Sequence, residues 1–600
     1  MRRVLKFLAP YWWQILLVIA FTYGEVWTTL ELPSVMSDIV NKGIITGDMD
    51  YIYQRGWFMV IITALGSLSA IIAGFFASRV GTGFGRDLRA GVYKKVEGFS
   101  LAEMRRFSTS SLITRSTNDV EQIQQVAFFI MRIAVRAPLM AIGAILSAFR
   151  TAPSMTWIMV LSVITLLVLV ISVFMIAMPK FQLQQKLVDA LNQVSRENLT
   201  GLRVIRAFNN EKIEKQKFNE VNRDITKTGL FINRITNILE PGMTMIISFT
   251  TLAVVWIGAG MVMDDKLEIG NMMAFMQYSL QVITSFLMLV IIMVMVPRAH
   301  VSVERISEIL ETDNSVREPK NPQKPDESKR GLVEFKHVTF TYPDAESPVL
   351  NDIDFVTKPG ETTAIIGSTG SGKSTVANLI SRLYDVTAGQ VRLDGVDLRN
   401  LSHRDIAKIV GFVPQKAVLF SGTIASNIKY ARADITDEAM RRAADIAQAD
   451  FIKDLPDGYR AHVARSGSNF SGGQKQRLAI ARAIAKDPEV LVFDDSFSAL
   501  DYRTDAKLRR ELAKRESDKT IIIITQRIST IREANQIIVL NDGGVAGKGT
   551  HYELLKSCEV YREIAESQFS EEEMAGELKL AGVSADNASD ASNTGEVKYA

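Results

Sequence analysis

Long stretches without a single charged residue, all in the first half of the chain, constrain its fold most. About 20 consecutive apolar residues are needed to cross a bilayer as an α-helix. Residues 56–78, 151–179, 241–263 and 269–297 contain no Asp, Glu, Lys or Arg, and each is long enough. We therefore predict that these four stretches span a membrane.

Two further stretches are long and mainly apolar but carry ionisable residues. Residues 13–36 contain Glu25 and Glu31, and residues 126–149 contain Arg132 and Arg136. Charged groups inside a membrane are costly and usually face a cavity or a partner, so Glu25, Arg132 and Arg136 are candidates for lining a transport pathway. Alternatively, the two arginines lie near the cytoplasmic end of the third span and snorkel to the surface. With these two stretches, we predict six transmembrane helices.

Lys and Arg are concentrated in every second predicted loop. The N-terminal segment and the long segments 79–125 and 180–237 are basic, whereas the intervening loops hold few basic residues. Positive charge marks the cytoplasmic side, so both termini are expected in the cytoplasm. The basic segments are too long for turns, and we expect the spans to continue there as helices. Residues 1–310 are thus predicted to form an all-α transmembrane domain.

The composition argues against a nucleic-acid-binding protein and against a disulfide-stabilised one. The formal net charge of the 600 residues is only +3, which gives no reason to expect a nucleic-acid partner. The single cysteine, Cys558, excludes an intramolecular disulfide framework and fits a reducing cytosolic environment.

The second half of the chain carries a phosphate-binding motif. Residues 311–330 are polar, contain three prolines and are predicted to be a linker. Further on, an apolar strand enters the sequence GSTGSGKST, which leads into an amphipathic helix. This strand, loop and helix are the context that a P-loop requires, because its glycines let backbone N–H groups wrap the phosphates. We therefore predict an α/β P-loop domain that binds a nucleoside triphosphate.

The P-loop residues have separate expected roles. Lys373 should reach the β- and γ-phosphates of ATP, and the Ser374 hydroxyl should bind Mg²⁺. The predicted nucleotide-binding residues of the loop are Gly367, Ser368, Thr369, Gly370, Ser371, Gly372, Lys373, Ser374 and Thr375.

Motifs that follow the P-loop narrow the family. The sequence Ser471-Gly472-Gly473-Gln474 precedes an apolar strand that ends at Asp494, and SALD follows at residues 498–501. Together with the P-loop, these motifs resemble an ATP-binding cassette (ABC) over residues 331–568. The six-span half resembles the membrane domain of the exporter branch, whose cytoplasmic-loop patterns are similar to residues 110–120 and 201–211.

The resemblance implies roles for individual residues. Tyr342 would stack on the adenine, although it is also explained as an ordinary strand aromatic. Gln415 would contact Mg²⁺ and the attacking water, and Asp494 would hold Mg²⁺. In this family two cassettes face head to tail, so the signature at residues 471–474 would cap the nucleotide that the partner chain holds.

Two positions depart from the family pattern where the γ-phosphate would lie. Asp495 replaces the Glu that positions the attacking water, and losing one methylene withdraws the carboxylate by roughly 1.5 Å. A misplacement of about 1 Å can reduce a rate about 10²-fold. Gln526 replaces the switch His, and an amide cannot carry a proton. The alternative is that Asp495 is a tolerated variant.

The pattern predicts a subunit with a degenerate site, similar to those of bacterial heterodimeric ABC exporters of the multidrug type. Its own site would hydrolyse ATP slowly or not at all, and its signature would complete a site on a non-identical partner. The expected location is the cell (inner or plasma) membrane, and the expected cargo is a small amphipathic or lipid-like molecule. Alternatives are a nucleotide-switched regulatory membrane protein that transports nothing, and a slow homodimeric exporter. Residues 569–600 are predicted to be a disordered tail.

Overall fold

The computed structural model describes residues 2–582 and divides the chain into two compact units. The first unit contains residues 1–97 and 109–312, and the second contains residues 98–108 together with the chain from residue 313 onward. The first is all-α, and the second is α/β. The predicted fold class is thus confirmed, but residues 98–108, which we expected in the transmembrane domain, group with the second unit.

Six helices in the described residues are long and apolar enough to cross a membrane, as predicted. They are Arg3–Ile44, Met49–Glu97, Thr109–Thr151, Pro153–Thr200, Glu211–Met263 and Ile269–Leu289. Only helices satisfy every backbone polar group within a single segment, which is why such apolar runs become helices in a bilayer. The α-helical segments of the unit are Arg2–Leu5, Trp12–Asp38, Met49–Glu97, Thr109–Thr114, Val120–Phe129, Val135–Thr151, Thr156–Thr200, Leu202–Ala207, Glu211–Thr236, Leu239–Met263 and Ile269–Glu311. Three π-helical turns adjoin these α-helical segments, at Ile39–Ile44, Arg115–Asp119 and Ile130–Ala134.

Several of these helices are much longer than a bilayer is thick. Met49–Glu97 has 49 residues and Thr156–Thr200 has 45. At 1.5 Å per residue they extend about 70 Å, roughly twice the thickness of the hydrocarbon core. The second and fourth spans therefore continue as helices into the basic segments, as expected, and end at Glu97 and Thr200, where shorter helices follow after breaks.

The helix Trp12–Asp38 packs closely against its neighbours in the bundle. A side chain at Gly66 would collide with Thr28, and one at Gly270 would collide with the carbonyl of Ser37. Tyr278 is buried and donates a hydrogen bond to the carbonyl of Leu30, over 3.0 Å. Small residues and such polar contacts hold helices together where water provides no hydrophobic driving force.

The α/β unit contains a six-stranded and a four-stranded sheet. The larger has the order 544–549, 536–541, 362–367, 520–524, 490–494 and 410–413, and it is parallel except for its 544–549 edge. The smaller is antiparallel, with the order 350–357, 333–340, 388–393 and 396–397. A two-stranded sheet joins Gly422–Thr423 to His462–Val463. The helices are Leu101–Phe107, Lys373–Ile380, His403–Ile409, Ile424–Ile428, Asp437–Ile446, Gly472–Ala485, Tyr502–Arg515, Ile528–Ile531, His551–Ser557, Glu559–Glu566 and Glu571–Ala581.

The register of the larger sheet aligns the ends of its central strands. Ile524 pairs with both Ile365 and Asp494, so three adjacent parallel strands end at one edge. All residues of 490–494 and 520–524 are buried, as expected for parallel strands covered on both faces. Ligands of open α/β sheets bind at the carboxyl ends of the strands, and the P-loop begins there.

The predicted disordered tail is wrong in its first part. Residues 571–581 form a helix that begins with a capping box between Ser570 and Glu573 and buries Met574 and Ala581. The overall composition of residues 569–600 hid this short amphipathic segment. Residues 583–600 lie outside the described residues.

Candidate nucleotide-binding site

The P-loop joins the strand Thr362–Gly367 to the helix Lys373–Ile380. Its turn requires glycine twice, because Gly370 and Gly372 have φ values of +89° and +94°. Lys373 is buried, and its ammonium group donates to the carbonyls of Gly367 and Ser368 over 2.8 and 2.6 Å. Burial lowers the pKa of the Lys373 ammonium group, against the opposing charges of Asp495 and Asp494.

The hydroxyl of Ser374 donates to Asp494 Oδ1 over 2.9 Å, so two of the three predicted Mg²⁺ ligands meet. Asp494 ends a fully buried strand, and its own exposed fraction is 6%. Burial raises the pKa of its carboxyl above the ordinary value, and the hydrogen bond from Ser374 opposes that rise. A hydroxyl and a buried carboxylate are the hard oxygen donors that Mg²⁺ prefers, so these residues fit the ion.

Asp495 lies beside this pair in an unusual backbone conformation. Its φ is +44°, which is uncommon for a residue other than glycine. Its N–H donates to the carbonyl of Ile524, and its own carbonyl accepts from the Ser498 hydroxyl, over 2.8 Å in each case. Its side-chain Oδ2 accepts a hydrogen bond from Gln415 Nε2, over 3.2 Å. The sheet edge thus brings together the P-loop, Gln415 and both aspartates.

Gln526 follows the adjacent strand Thr520–Ile524 and is exposed. Its carbonyl accepts a hydrogen bond from Gln568 Nε2 over 2.6 Å, and Gln568 Oε1 accepts from the N–H of Ile528 over 2.9 Å. One side-chain amide therefore bridges the backbone on both sides of Arg527. Sequence analysis missed Gln568, because nothing local to residue 568 indicates a contact 42 residues away.

Tyr342 is held at its hydroxyl and at its ring. Its hydroxyl lies 3.0 Å from that of Thr375, and its ring packs edge-on against Tyr384, with centroids 5.3 Å apart. The guanidinium of Arg105, from the helix Leu101–Phe107, lies 5.3 Å from the centroid of the Tyr342 ring. Arg105 is a second residue that the sequence did not reveal.

The signature residues begin the helix Gly472–Ala485. Ser471 and Gln474 form a reciprocal capping box, in which each side chain bonds the backbone N–H of the other residue. A side chain at Gly472 would meet no atom within 4 Å. Among the described residues, neither Ser471 nor Gln474 forms a side-chain hydrogen bond to the P-loop or to the two aspartates. The helix N-terminus therefore presents an open surface where an anion is electrostatically favoured.

The three candidate pathway residues meet in the all-α unit. Arg132 Nη1 lies 3.2 Å from Glu25 Oε2, and Arg136 Nε lies 3.1 Å from Glu25 Oε1. The two arginines thus pair with a carboxylate on another helix instead of extending alone toward a membrane surface.

Comparison with known proteins agrees with this geometry. The family model described as ABC transporter transmembrane region matches residues 15–286, and the family model described as ABC transporter matches residues 350–498. An uncharacterized ABC transporter ATP-binding protein of Mycobacterium tuberculosis is 42% identical over 544 residues, which cover 90% of this chain and 93% of that protein. A second such protein, from Bacillus subtilis, is 33% identical over 573 residues, which cover 95% and 99%.

A solved structure has the same architecture. It is a bacterial Atm1-family ABC exporter with ATP bound, and it superposes with a TM-score of 0.76 and 25% identity over 95% of this chain and 100% of that one. A six-helix membrane unit and a P-loop sheet on one chain define the class of fused membrane ATPases. The chain belongs to the ABC transporter family, as a half-transporter with the Atm1-family exporter fold.

Proposed function

We propose that this chain is one of two non-identical subunits of an ATP-driven efflux transporter in the cell membrane, with both termini in the cytoplasm. Its own nucleotide site would hydrolyse ATP slowly or not at all. The observation that carries this proposal is the pair Asp495 and Gln526, at the edge of the sheet where the γ-phosphate of ATP is expected.

The contacts of Asp495 support the proposal that this residue is a poor general base. A base must lie within hydrogen-bond reach of the proton that it removes. The Asp495 carboxylate is one methylene shorter than that of Glu, and Gln415 already donates a hydrogen bond to it. The hydrogen bonds of its backbone N–H and carbonyl restrict how far the chain can shift to recover that reach.

The same site is well equipped to bind ATP. Tyr342 would support the adenine, and the P-loop backbone would surround the phosphates. Lys373 would give up its hydrogen bonds to the loop carbonyls and bind the phosphates instead. The negatively charged phosphates would offset the desolvation of its buried ammonium group better than the neutral carbonyls do. Ser374, Asp494 and Gln415 would hold Mg²⁺, which neutralises charge on the phosphate oxygens. Residues 471–474 would contact the nucleotide of the partner subunit.

Relatives support an amphipathic or lipid-like cargo. A protein named as a probable multidrug resistance ABC transporter of Bacillus subtilis is 32% identical over 467 residues, which cover 77% of this chain and 79% of that protein. A protein named as a fatty acid ABC transporter of Mycobacterium bovis is 30% identical over 475 residues, which cover 79% and 75%. A fatty acid is itself an amphipathic, lipid-like molecule, so the second name in particular supports this cargo class.

The test is to express this chain alone and together with a candidate partner half-transporter from a neighbouring reading frame. We expect co-purification, substrate-stimulated ATPase activity only in the pair, and retention of most of that activity in Asp495→Ala. Stimulation by substrate separates a transporter from a regulatory switch. Brisk ATP hydrolysis by the chain alone, as a homodimer, would contradict the proposal.

A further inference from the structure

We propose that Glu25, Arg132 and Arg136 form an intramembrane binding site for the carboxylate head group of an amphipathic anion. The proposal rests on the proposed export function and names the substrate class of that transporter. It is carried by the charge, the hydrogen bonds and the surroundings of these three side chains, which we call the intramembrane cluster.

The cluster holds more positive than negative charge. A guanidinium cannot be deprotonated in proteins, so the two arginines contribute two positive charges. In the part of the chain that the structure describes, Glu25 is the only carboxylate within 4.0 Å of either arginine. Glu31, the other carboxylate of the first predicted span, forms no ion pair with either arginine among the described residues, so one positive charge of the cluster has no carboxylate in contact, which is costly inside a bilayer. A singly charged anion balances it.

The arginines also keep unused hydrogen-bond donors. Each guanidinium has five N–H groups. Arg132 donates one aligned hydrogen bond to Glu25, whereas Arg136 Nε is near the carboxylate but is not aligned with it as a hydrogen bond. The Glu25 side chain is 9% exposed, but those of Arg132 and Arg136 are 25% and 30% exposed. The site is thus built on a buried carboxylate and still offers surface to a ligand.

The neighbouring backbone and side chains are arranged as in a polar site. Arg132 lies in the π-helical turn Ile130–Ala134, and such turns are rare and often occur at functional sites. On the opposite helix, Thr22 is buried about one turn before Glu25. Thr22 Oγ1 has no hydrogen-bond partner among the described residues. Buried polar atoms normally have a partner, and a hydroxyl at this position can donate a hydrogen bond to an entering carboxylate.

A purely structural role would not require this composition. One glutamate and one arginine would join the two helices without leaving a net charge. The second arginine matters for a ligand, because planar guanidinium groups bind carboxylates through paired hydrogen bonds. Ligand discrimination by the cluster should therefore follow head-group charge and not chain length.

The test uses the full transporter with its partner chain in zwitterionic nanodiscs. The probes are dodecanoate, dodecanol and dodecyltrimethylammonium, which share a chain length and differ in charge. Direct binding is measured without nucleotide, so it does not depend on ATP hydrolysis. We expect dodecanoate to bind about tenfold or more tightly than the other two, as is typical when a buried charge gains a partner.

Variants assign that preference to the cluster. Arg136→Gln should reduce dodecanoate affinity about tenfold and leave dodecanol binding unchanged, and Glu25→Gln should increase the preference for dodecanoate. Arg150→Gln, which changes an exposed arginine later in the third span, is the matched control and should have no effect. Arg136→Lys keeps the charge if Arg136→Gln fails to fold.

The proposal is overturned if the three probes bind equally, or if folded Arg136→Gln retains full dodecanoate affinity. Loss of export with the binding preference intact would contradict only the proposed function. Active ATP-driven export without a carboxylate preference would contradict only this inference.

Discussion

Two clusters of charged residues, one in each unit, are built in the same way but with opposite sign. In the all-α unit, one buried carboxylate faces two guanidinium groups. At the P-loop, one buried lysine lies near two adjacent carboxylates, Asp494 and Asp495. Each cluster therefore keeps one unbalanced charge, which is positive in the membrane unit and negative at the nucleotide site.

In each cluster, the sign of the unbalanced charge indicates the type of ligand that completes it. A buried pair that is fully neutral has nothing further to gain from a ligand, whereas an unbalanced one does. The negative excess at the P-loop fits Mg²⁺, and the positive excess in the membrane unit fits an anion. Variants of the nucleotide cluster test this relation for a negative excess, as the Arg136 and Glu25 variants test it for a positive one.

The largest effect is expected for Lys373→Ala. Removing the only cation of the nucleotide cluster leaves two carboxylates facing the phosphates, and we expect ATP affinity to fall about 10²-fold, since hydrogen bonds to charged groups contribute about 1.5–3 kcal/mol. The measurement is equilibrium binding of ATP with Mg²⁺. Lys358→Ala, in an exposed turn, is the control. Unchanged affinity would show that the backbone alone binds the phosphates.

A gain in activity is expected for Asp495→Glu combined with Gln526→His. The longer Glu carboxylate and the titratable His ring should increase the rate of ATP hydrolysis at this chain's own site by about tenfold to 10²-fold. Each single change should give only a small increase, because the other deficit remains. Single-turnover hydrolysis is measured in a pair whose second site is inactivated. If the double variant is as slow as the natural chain, the two residues do not explain the slow site.

A smaller effect is expected for Gln568→Ala. The variant removes both hydrogen bonds that hold the backbone around Gln526, each worth about 1 kcal/mol. Amide hydrogen exchange at Ile528 should accelerate about fivefold, and the gain from Asp495→Glu with Gln526→His should decrease. Glu566→Ala, an exposed change nearby, should do neither. Unaltered exchange at Ile528 would argue against a positioning role for Gln568.

The smallest effect concerns the pH dependence of stability. Because burial raises the pKa of Asp494 in the folded protein, its protonated form is favoured by folding. Its contribution to stability is present below the unfolded pKa of about 3.9 and is lost as pH rises through the folded pKa. Without nucleotide, Asp494→Asn should therefore raise the thermal midpoint at pH 7 by a few degrees, since about 1 kcal/mol moves it roughly 2–4 °C.

The difference between Asp494→Asn and the natural chain should shrink as the pH falls, because a growing fraction of the Asp494 carboxyl is then protonated and neutral, like the amide of Asn. Adding ATP with Mg²⁺ at pH 7 should reverse it, because only the carboxylate can hold the ion. Asp518→Asn, at an exposed position, serves as the control. A lower midpoint for Asp494→Asn at pH 7 would contradict the unbalanced negative charge.

The sequence predicted the parts of the molecule that local patterns determine. Apolar length identified the six spans, and the contiguous P-loop identified Ser374 and its neighbours. The strand register then brought Asp494 to Ser374, which the order of motifs had indicated. Gln568 and Arg105 were not predictable in this way, because their contacts arise only when distant segments fold together.

Two domain assignments failed for a related reason. Residues 98–108 were assigned by their place between two spans, but their capped helix groups with the α/β unit. The tail was assigned by average composition, although Met574, Leu578 and Ala581 recur at helical spacing within it. Average composition hides one short amphipathic helix, whereas periodicity would have revealed it.

The helix Glu571–Ala581 also limits how the protein can be shortened. Its residue Glu577 is buried and accepts contacts from Arg532 Nη2 at 2.9 Å and His551 Nε2 at 3.3 Å. Truncation after residue 570 would leave a buried imidazole and a guanidinium without their shared acid. Deletions and fused reporters should therefore spare residues 571–581 if the α/β unit is to stay intact.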